Sequence, residues 1–249
     1  MEIHLLLDHW GTKKMKTIKI FGRKFTWLEI VIHLGAWIPL LLIVFNFFNG
    51  NLTVNPIQDI EQRTGRLAIL WLVLSLTCTP LGNIFGWKEM IKRRRTIGLY
   101  AFMMAFIHVS IFTALDFGFA FDLIIAEILE KWFILLGALA FIGLTLLAAT
   151  SFKYWQKRLK KNWKRLHKIV YVIAPLVVLH YGLAKKGNLL SLQGDIVRPV
   201  IYAVIVSLLL VMRIKAVRLW IKKAWQQLTS VVSSWQRSES PAKISNRTM

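Results

Sequence analysis

Six apolar runs, each long enough or nearly so to cross a bilayer, constrain this 249-residue chain more than any other feature. They cover about residues 27–48, 67–85, 96–115, 132–151, 168–184 and 197–212. A hydrocarbon core of roughly 30 Å takes about 20 helical residues. Inside it every backbone N–H and C=O must find its partner within the protein, which runs of this length do as helices. The expected fold is therefore all-α and integral to the membrane, a bundle of six transmembrane helices. Composition agrees: 56% of residues are hydrophobic, yet the formal net charge is +21. A nucleic-acid binder can share such a charge, but its basic residues would not alternate with membrane-length spans. The single cysteine, Cys78, excludes an intramolecular disulfide. Glu2 and the short apolar stretch 3–7 do not make a signal peptide.

The charges give the orientation. Lys and Arg number six in residues 1–26, five in 87–96, eight in 152–168 and eight in 213–249, which is 27 of the 33. The remaining six are Arg63, Arg66, Lys131, Lys185, Lys186 and Arg198, on the face that also carries Asp59, Glu61, Asp116, Asp122, Glu127, Glu130 and Asp195. Basic residues stay on the cytoplasmic side, so both termini are expected there. Trp27, Trp87, Trp155 and Trp163 mark the inner boundary, Trp132 the outer. The chain divides into a basic extension (1–25), a transmembrane domain (26–215) and a basic tail (216–249). Within the tail region, 213–228 reads as an amphipathic surface helix and the Ser/Asn-containing end as disordered. His4 and His9 read as solvated tail residues. Residues 49–66 read as a polar loop in which Thr64 caps the next helix. Pro80 predicts a break or kink, and the apolar members of 116–131 predict a segment lying on the membrane surface.

Histidines inside apolar spans are functional candidates, because lipid penalises the imidazole. His108 and His180 each stand about 18 Å up their spans from the cytoplasmic side at a rise of about 1.5 Å per residue. Two imidazoles at one depth on parallel spans can hold a b-type heme between helices; the alternative is two unrelated polar contacts. No Cys-x-x-Cys-His motif exists, which excludes covalent attachment. His167 lies thirteen residues before His180, about 140° away around an ideal helix, with Pro175 between them to alter that angle. Its inner neighbours on the third span are Arg93, Arg94 and Arg95, which stay protonated and cannot ligate iron. They can bind phosphate or a propionate through the guanidinium fork, or simply anchor the inner boundary. His33, about 9 Å into the first span, can serve a cofactor or a neighbouring helix.

The placement of His108 opposite His167 and His180 resembles the ferric-reductase-like transmembrane domain, the heme-bearing core of NADPH oxidases and ferric reductases. In those relatives the third span carries a second His fourteen residues before the first; here that position is Arg94. The substitution is typical of one branch, the MsrQ (YedZ) family of heme-binding membrane subunits of the bacterial periplasmic methionine sulfoxide reductase system. The resemblance covers about residues 26–215. It rests on Asp59-Ile-x-x-x-Thr-Gly-Arg66, Thr79-Pro-Leu, Arg93-Arg-Arg-Thr-Ile-Gly-Leu…His108 and Trp163-x-x-Leu-His-x-x-Val-Tyr171…His180.

The resemblance implies heme b with His108 and His180 as axial ligands, and a bound FMN. It makes His167 a heme-related inner residue and puts Arg94 on the electron path or near a flavin phosphate. Electrons would come from the quinone pool or a cytoplasmic flavin reductase, cross the bacterial inner membrane, and reach a periplasmic molybdopterin enzyme that reduces methionine sulfoxide in damaged proteins. No Gly-x-Gly-x-x-Gly dinucleotide site follows the last span, so the chain is expected not to oxidise NAD(P)H and to be an electron-transfer subunit rather than an enzyme by itself. Two rival readings are a stand-alone ferric-chelate reductase and a non-redox membrane scaffold or transporter.

Overall fold

The computed structural model describes residues 17–20, 23–185, 187–188, 193–194 and 196–238. His4, His9 and the end expected to be disordered lie outside the described residues. A short hairpin, β1 (Thr17–Ile20) and β2 (Arg23–Thr26), leads into α1 (Trp27–Phe48). Thr26 and Glu29 start α1 as a capping box: the Thr26 hydroxyl accepts from the Glu29 N–H, and the Glu29 carboxylate accepts from the Thr26 N–H at 2.9 Å.

The bundle is built on α2 (Pro56–Ile84), a helix of 29 residues. At a rise of about 1.5 Å per residue it is about 43 Å long, well beyond the roughly 30 Å apolar core. It begins eleven residues before the expected span. Pro56 sits at the first helical position, where its fixed φ suits the helix and its missing N–H costs nothing. Asn55 caps it, accepting from the Gln58 N–H at 3.2 Å. Thr64 is therefore not a cap. It is buried mid-helix, donating to the carbonyls of Ile60 (2.8 Å) and Glu61 (2.9 Å). Nor does Pro80 end the helix, which continues to Ile84. A helical proline leaves the carbonyl four residues earlier without its N–H; here that is Leu76 O, and Arg213 Nη2 donates to it at 2.8 Å.

Opposite α2 lies α3 (Lys88–Ile111), which closes in a π-helical turn, Phe112–Asp116. A half-buried ion pair between Arg93 and Glu29 ties α3 to α1. The segment expected to lie on the membrane surface is a helix, α4 (Phe121–Glu130), with Phe121, Leu123, Ile125 and Leu129 exposed and Ile124 buried. Next come α5 (Trp132–Ala149) and two short basic helices, α6 (Lys153–Leu159) and α7 (Lys161–Leu166), separated where Lys160 takes φ +46°. A 3₁₀ turn, His167–Ile169, precedes α8 (Val170–Leu183). His167 thus stands off the regular helix that carries His180, and the 140° ideal-helix angle between them does not apply.

A two-residue hairpin, β3 (Gly187–Asn188) with β4 (Gln193–Gly194), leads to α9 (Val197–Val211). From α9 the chain turns by 91° into α10 (Lys215–Ser238), the expected amphipathic helix, longer than predicted. Among the described residues five helices are long and apolar enough to cross a membrane, and α9 joined to its bent continuation makes a sixth. α2 is central and α1 peripheral: 56% of the apolar window is buried in the first, 11% in the second. Lipid offers no hydrophobic drive between helices, so close packing relies on small residues. Ala101 and Ala174 are wholly buried, and at Gly143 a Cβ would stand 2.8 Å from Ile173 Cδ1.

Candidate functional site

His108 comes from the last turn of α3 and His180 from the last turn of α8. Packing α3 against α2 and α8 against α5 brings them together, with ring centroids 6.2 Å apart and ring planes at 74°. His108 Nδ1 meets the Glu61 carbonyl at 2.9 Å; His180 Nδ1 meets the Phe133 carbonyl at 2.6 Å. A carbonyl only accepts, so each Nδ1 carries the proton and each Nε2 keeps its lone pair. Neither Nε2 makes a hydrogen bond among the described residues.

Each ring also rests on a glycine. A Cβ at Gly65 would stand 3.2 Å from His108 Nδ1, and one at Gly137 would stand 2.7 Å from His180 Nδ1. The two seats follow one plan. In each, the accepting carbonyl lies four residues before the glycine on the neighbouring helix, and 47 residues separate that carbonyl from its histidine.

A cavity of about 620 Å³ opens between the helices, bordered by both histidines, both glycines, Arg66 and Phe141. Polar groups gather at the end of the cavity where α2 begins and α3 ends. Glu61, Asp116 and Lys185 border the cavity there, and Lys185 Nζ donates to Gln62 Oε1 at 2.8 Å. On the same rim the hydrogen bond that the Lys131 ammonium gives to the Glu127 carboxylate holds its pKa above the usual value.

The ring centroids are 6.2 Å apart, a spacing at which both imidazoles could bind one ion held between them. Among the described residues no three His, Cys, Asp or Glu cluster as a metal site would need. A two-imidazole set suits an ion whose other ligands come from a macrocycle, and the cavity is of a size typical for ligand pockets.

The other predicted residues go elsewhere. His167 sits in the turn before α8, its ring 4.2 Å from that of Trp163. The Thr150 hydroxyl gives its own proton to Leu146 O at 2.7 Å, so His167 Nε2–H donates to it at 3.2 Å. Of the three arginines, Arg93 pairs with Glu29, Arg95 is exposed, and Arg94 interacts electrostatically with His167. His33 bonds the Tyr100 hydroxyl of α3 through Nδ1. Sequence reasoning missed the two glycine seats, Arg66 as a cavity residue, and Arg213. The equal spacing of Glu61-Gly65-His108 and Phe133-Gly137-His180 is the signal that would have found the seats.

Two imidazoles over a cavity in a helical membrane bundle are the side chains that a macrocyclic metal cofactor would take between helices. Residues 64–178 match the family described as ferric reductase like transmembrane component. Over 204 residues the chain is 32% identical to the protein-methionine-sulfoxide reductase heme-binding subunits MsrQ of Salmonella paratyphi B, Salmonella heidelberg and Salmonella agona. Those alignments take in 82% of this chain and 99% of each relative. The chain belongs to the MsrQ family of heme-binding membrane subunits.

Proposed function

We propose that the chain is the heme b subunit of a methionine sulfoxide reductase system and carries electrons across the bacterial inner membrane, both termini being cytoplasmic. The observation that carries this reading is the pair His108 and His180, each with Nδ1–H given to a main-chain carbonyl and Nε2 left to bind. A hydrogen bond at Nδ1 fixes the ring and raises its basicity as a ligand. Gly65 and Gly137 admit the rings close to α2 and α5, and Arg66 provides a cation for acidic groups of a macrocycle. Heme, when bound, supplies a one-electron couple whose potential the axial ligands and burial set. His167 and Arg94 belong to the inner end, where electrons enter from the quinone pool or a cytoplasmic flavin reductase; Arg94 is the cation available there to the phosphate of FMN. The chain itself binds no methionine sulfoxide. A periplasmic molybdopterin subunit docks on the outer rim and performs that reduction.

The test is a dithionite-reduced minus oxidised spectrum of the purified protein and its variants. Wild type and His167→Ala are expected to show a low-spin b-type signal, and His108→Ala and His180→Ala to lose it. If both of the latter keep the wild-type spectrum, the axial assignment is wrong. Quinol-driven reduction of methionine sulfoxide should require both this chain and the periplasmic subunit; turnover of a ferric chelate by this chain alone would instead favour a stand-alone reductase.

A further inference from the structure

At one end of the bundle two arginines, Arg94 and Arg213, lie within electrostatic reach of each other, and among the described residues neither pairs with an acid. Arg213, at the bend between α9 and α10, donates to the Tyr171 hydroxyl and to Leu76 O, and stacks on the Tyr171 ring with its centre 4.4 Å away. Arg94 lies within electrostatic reach of it. Its carbonyl accepts from Ser75, the residue preceding Leu76, at 3.4 Å, and its charge acts on both Arg213 and His167. Among the described residues neither arginine pairs with a carboxylate, and Arg94 makes no side-chain hydrogen bond. Arg213 keeps a buried Nε–H without an acceptor.

Arg213 satisfies the carbonyl that Pro80 leaves open and holds Tyr171; a neutral donor would satisfy the carbonyl as well. A fixed positive charge there, beside a second one and partly out of water, is unfavourable unless an anion joins them. Planar guanidinium forks are suited to phosphate and carboxylate oxygens.

We propose that Arg94 and Arg213, with Tyr171 orienting Arg213, form an anion-recognition site for the phosphate or carboxylate group of a redox cofactor at the inner end of the electron path. This rests on the electron-transfer reading above and adds to it a second guanidinium, drawn from the first residue of the segment that reads in sequence as an amphipathic surface helix.

Full-length protein in nanodiscs is titrated with FMN and with riboflavin by flavin fluorescence, and reconstituted with heme and with heme dimethyl ester. Wild type is expected to prefer the anionic member of one pair by about ten- to hundredfold, the worth of a charged hydrogen bond. The flavin pair points to a phosphate, the heme pair to a propionate. Arg94→Gln and Arg213→Gln should each remove most of that preference while the low-spin b-type spectrum stays unchanged, and Arg213→Lys should retain part of it. Wild type without preference in either pair, or variants that keep it, overturns the site. Should the variants fail to fold, wild type alone decides: inorganic phosphate must weaken retention of the preferred cofactor more than chloride at equal ionic strength, and equal effects overturn the proposal. Absence of a b-type spectrum in wild type would instead count against the electron-transfer reading.

Discussion

Replacing Gly137 by alanine tests the histidine seat most directly. The added Cβ would stand 2.7 Å from His180 Nδ1 and 2.8 Å from Cε1, closer than a Cβ tolerates. The ring can yield only away from α5, which breaks its 2.6 Å bond from Nδ1–H to Phe133 O. Overpacking of this kind costs about 1–3 kcal/mol, and losing the Nδ1–H bond adds about 0.5–1.5 kcal/mol. Alanine in a helix returns at most about 1 kcal/mol. The balance is a net cost of about 0.5–3.5 kcal/mol on the liganding geometry, or roughly a two- to three-hundredfold weaker hold on heme. Two companions grade the effect. Gly65→Ala brings its Cβ to 3.2 Å from His108 Nδ1 and should be milder; Gly182→Ala, with 3.8 Å to Pro199, should be silent. Heme retained per protein after gel filtration, with the low-spin spectrum, measures all three. If Gly137→Ala matches Gly182→Ala, the seat does not position the ligand and the reasoning fails.

Further expectations follow from individual contacts. Thr64→Val removes a hydroxyl that competes with His108 for Glu61 O; the His108 bond should strengthen and the midpoint potential fall by about 10–30 mV, read by redox titration, at about 59 mV per tenfold for one electron. Glu29→Gln keeps the capping box but leaves Arg93 half-buried without its charge partner. It should destabilise the fold by about 1–3 kcal/mol, seen as a lower melting temperature with an unchanged heme spectrum. Tyr100→Phe removes the His33 contact and should cost about 0.5–1.5 kcal/mol without altering the spectrum; a spectral change would place His33 in the cofactor's surroundings.

Several features were legible in the sequence because they depend on one helix at a time. Length against bilayer thickness sets the number of spans, and a fixed rise per residue sets the common depth of His108 and His180. That is why their pairing was foreseeable although they lie on different helices. The start of α2 was misread because the polarity of 49–66 suggested a loop, while Asn55-Pro56 is itself a helix-start signal. The continuation through Pro80 was not readable locally, since the group that rescues Leu76 O arrives from Arg213, 137 residues away in the chain.

The sequence by itself determined a multi-helix membrane protein with two histidines at one level. Only the tertiary structure decided which way each side chain turns. Azimuth depends on which helices pack together, and no period in a single helix encodes that. Packing locks Arg93 to Glu29, leaves Arg95 exposed and brings Arg94 within electrostatic reach of Arg213. It also separates His167, held by Thr150, from His108 and His180, whose protons go to Glu61 O and Phe133 O so that both Nε2 atoms stay free to bind.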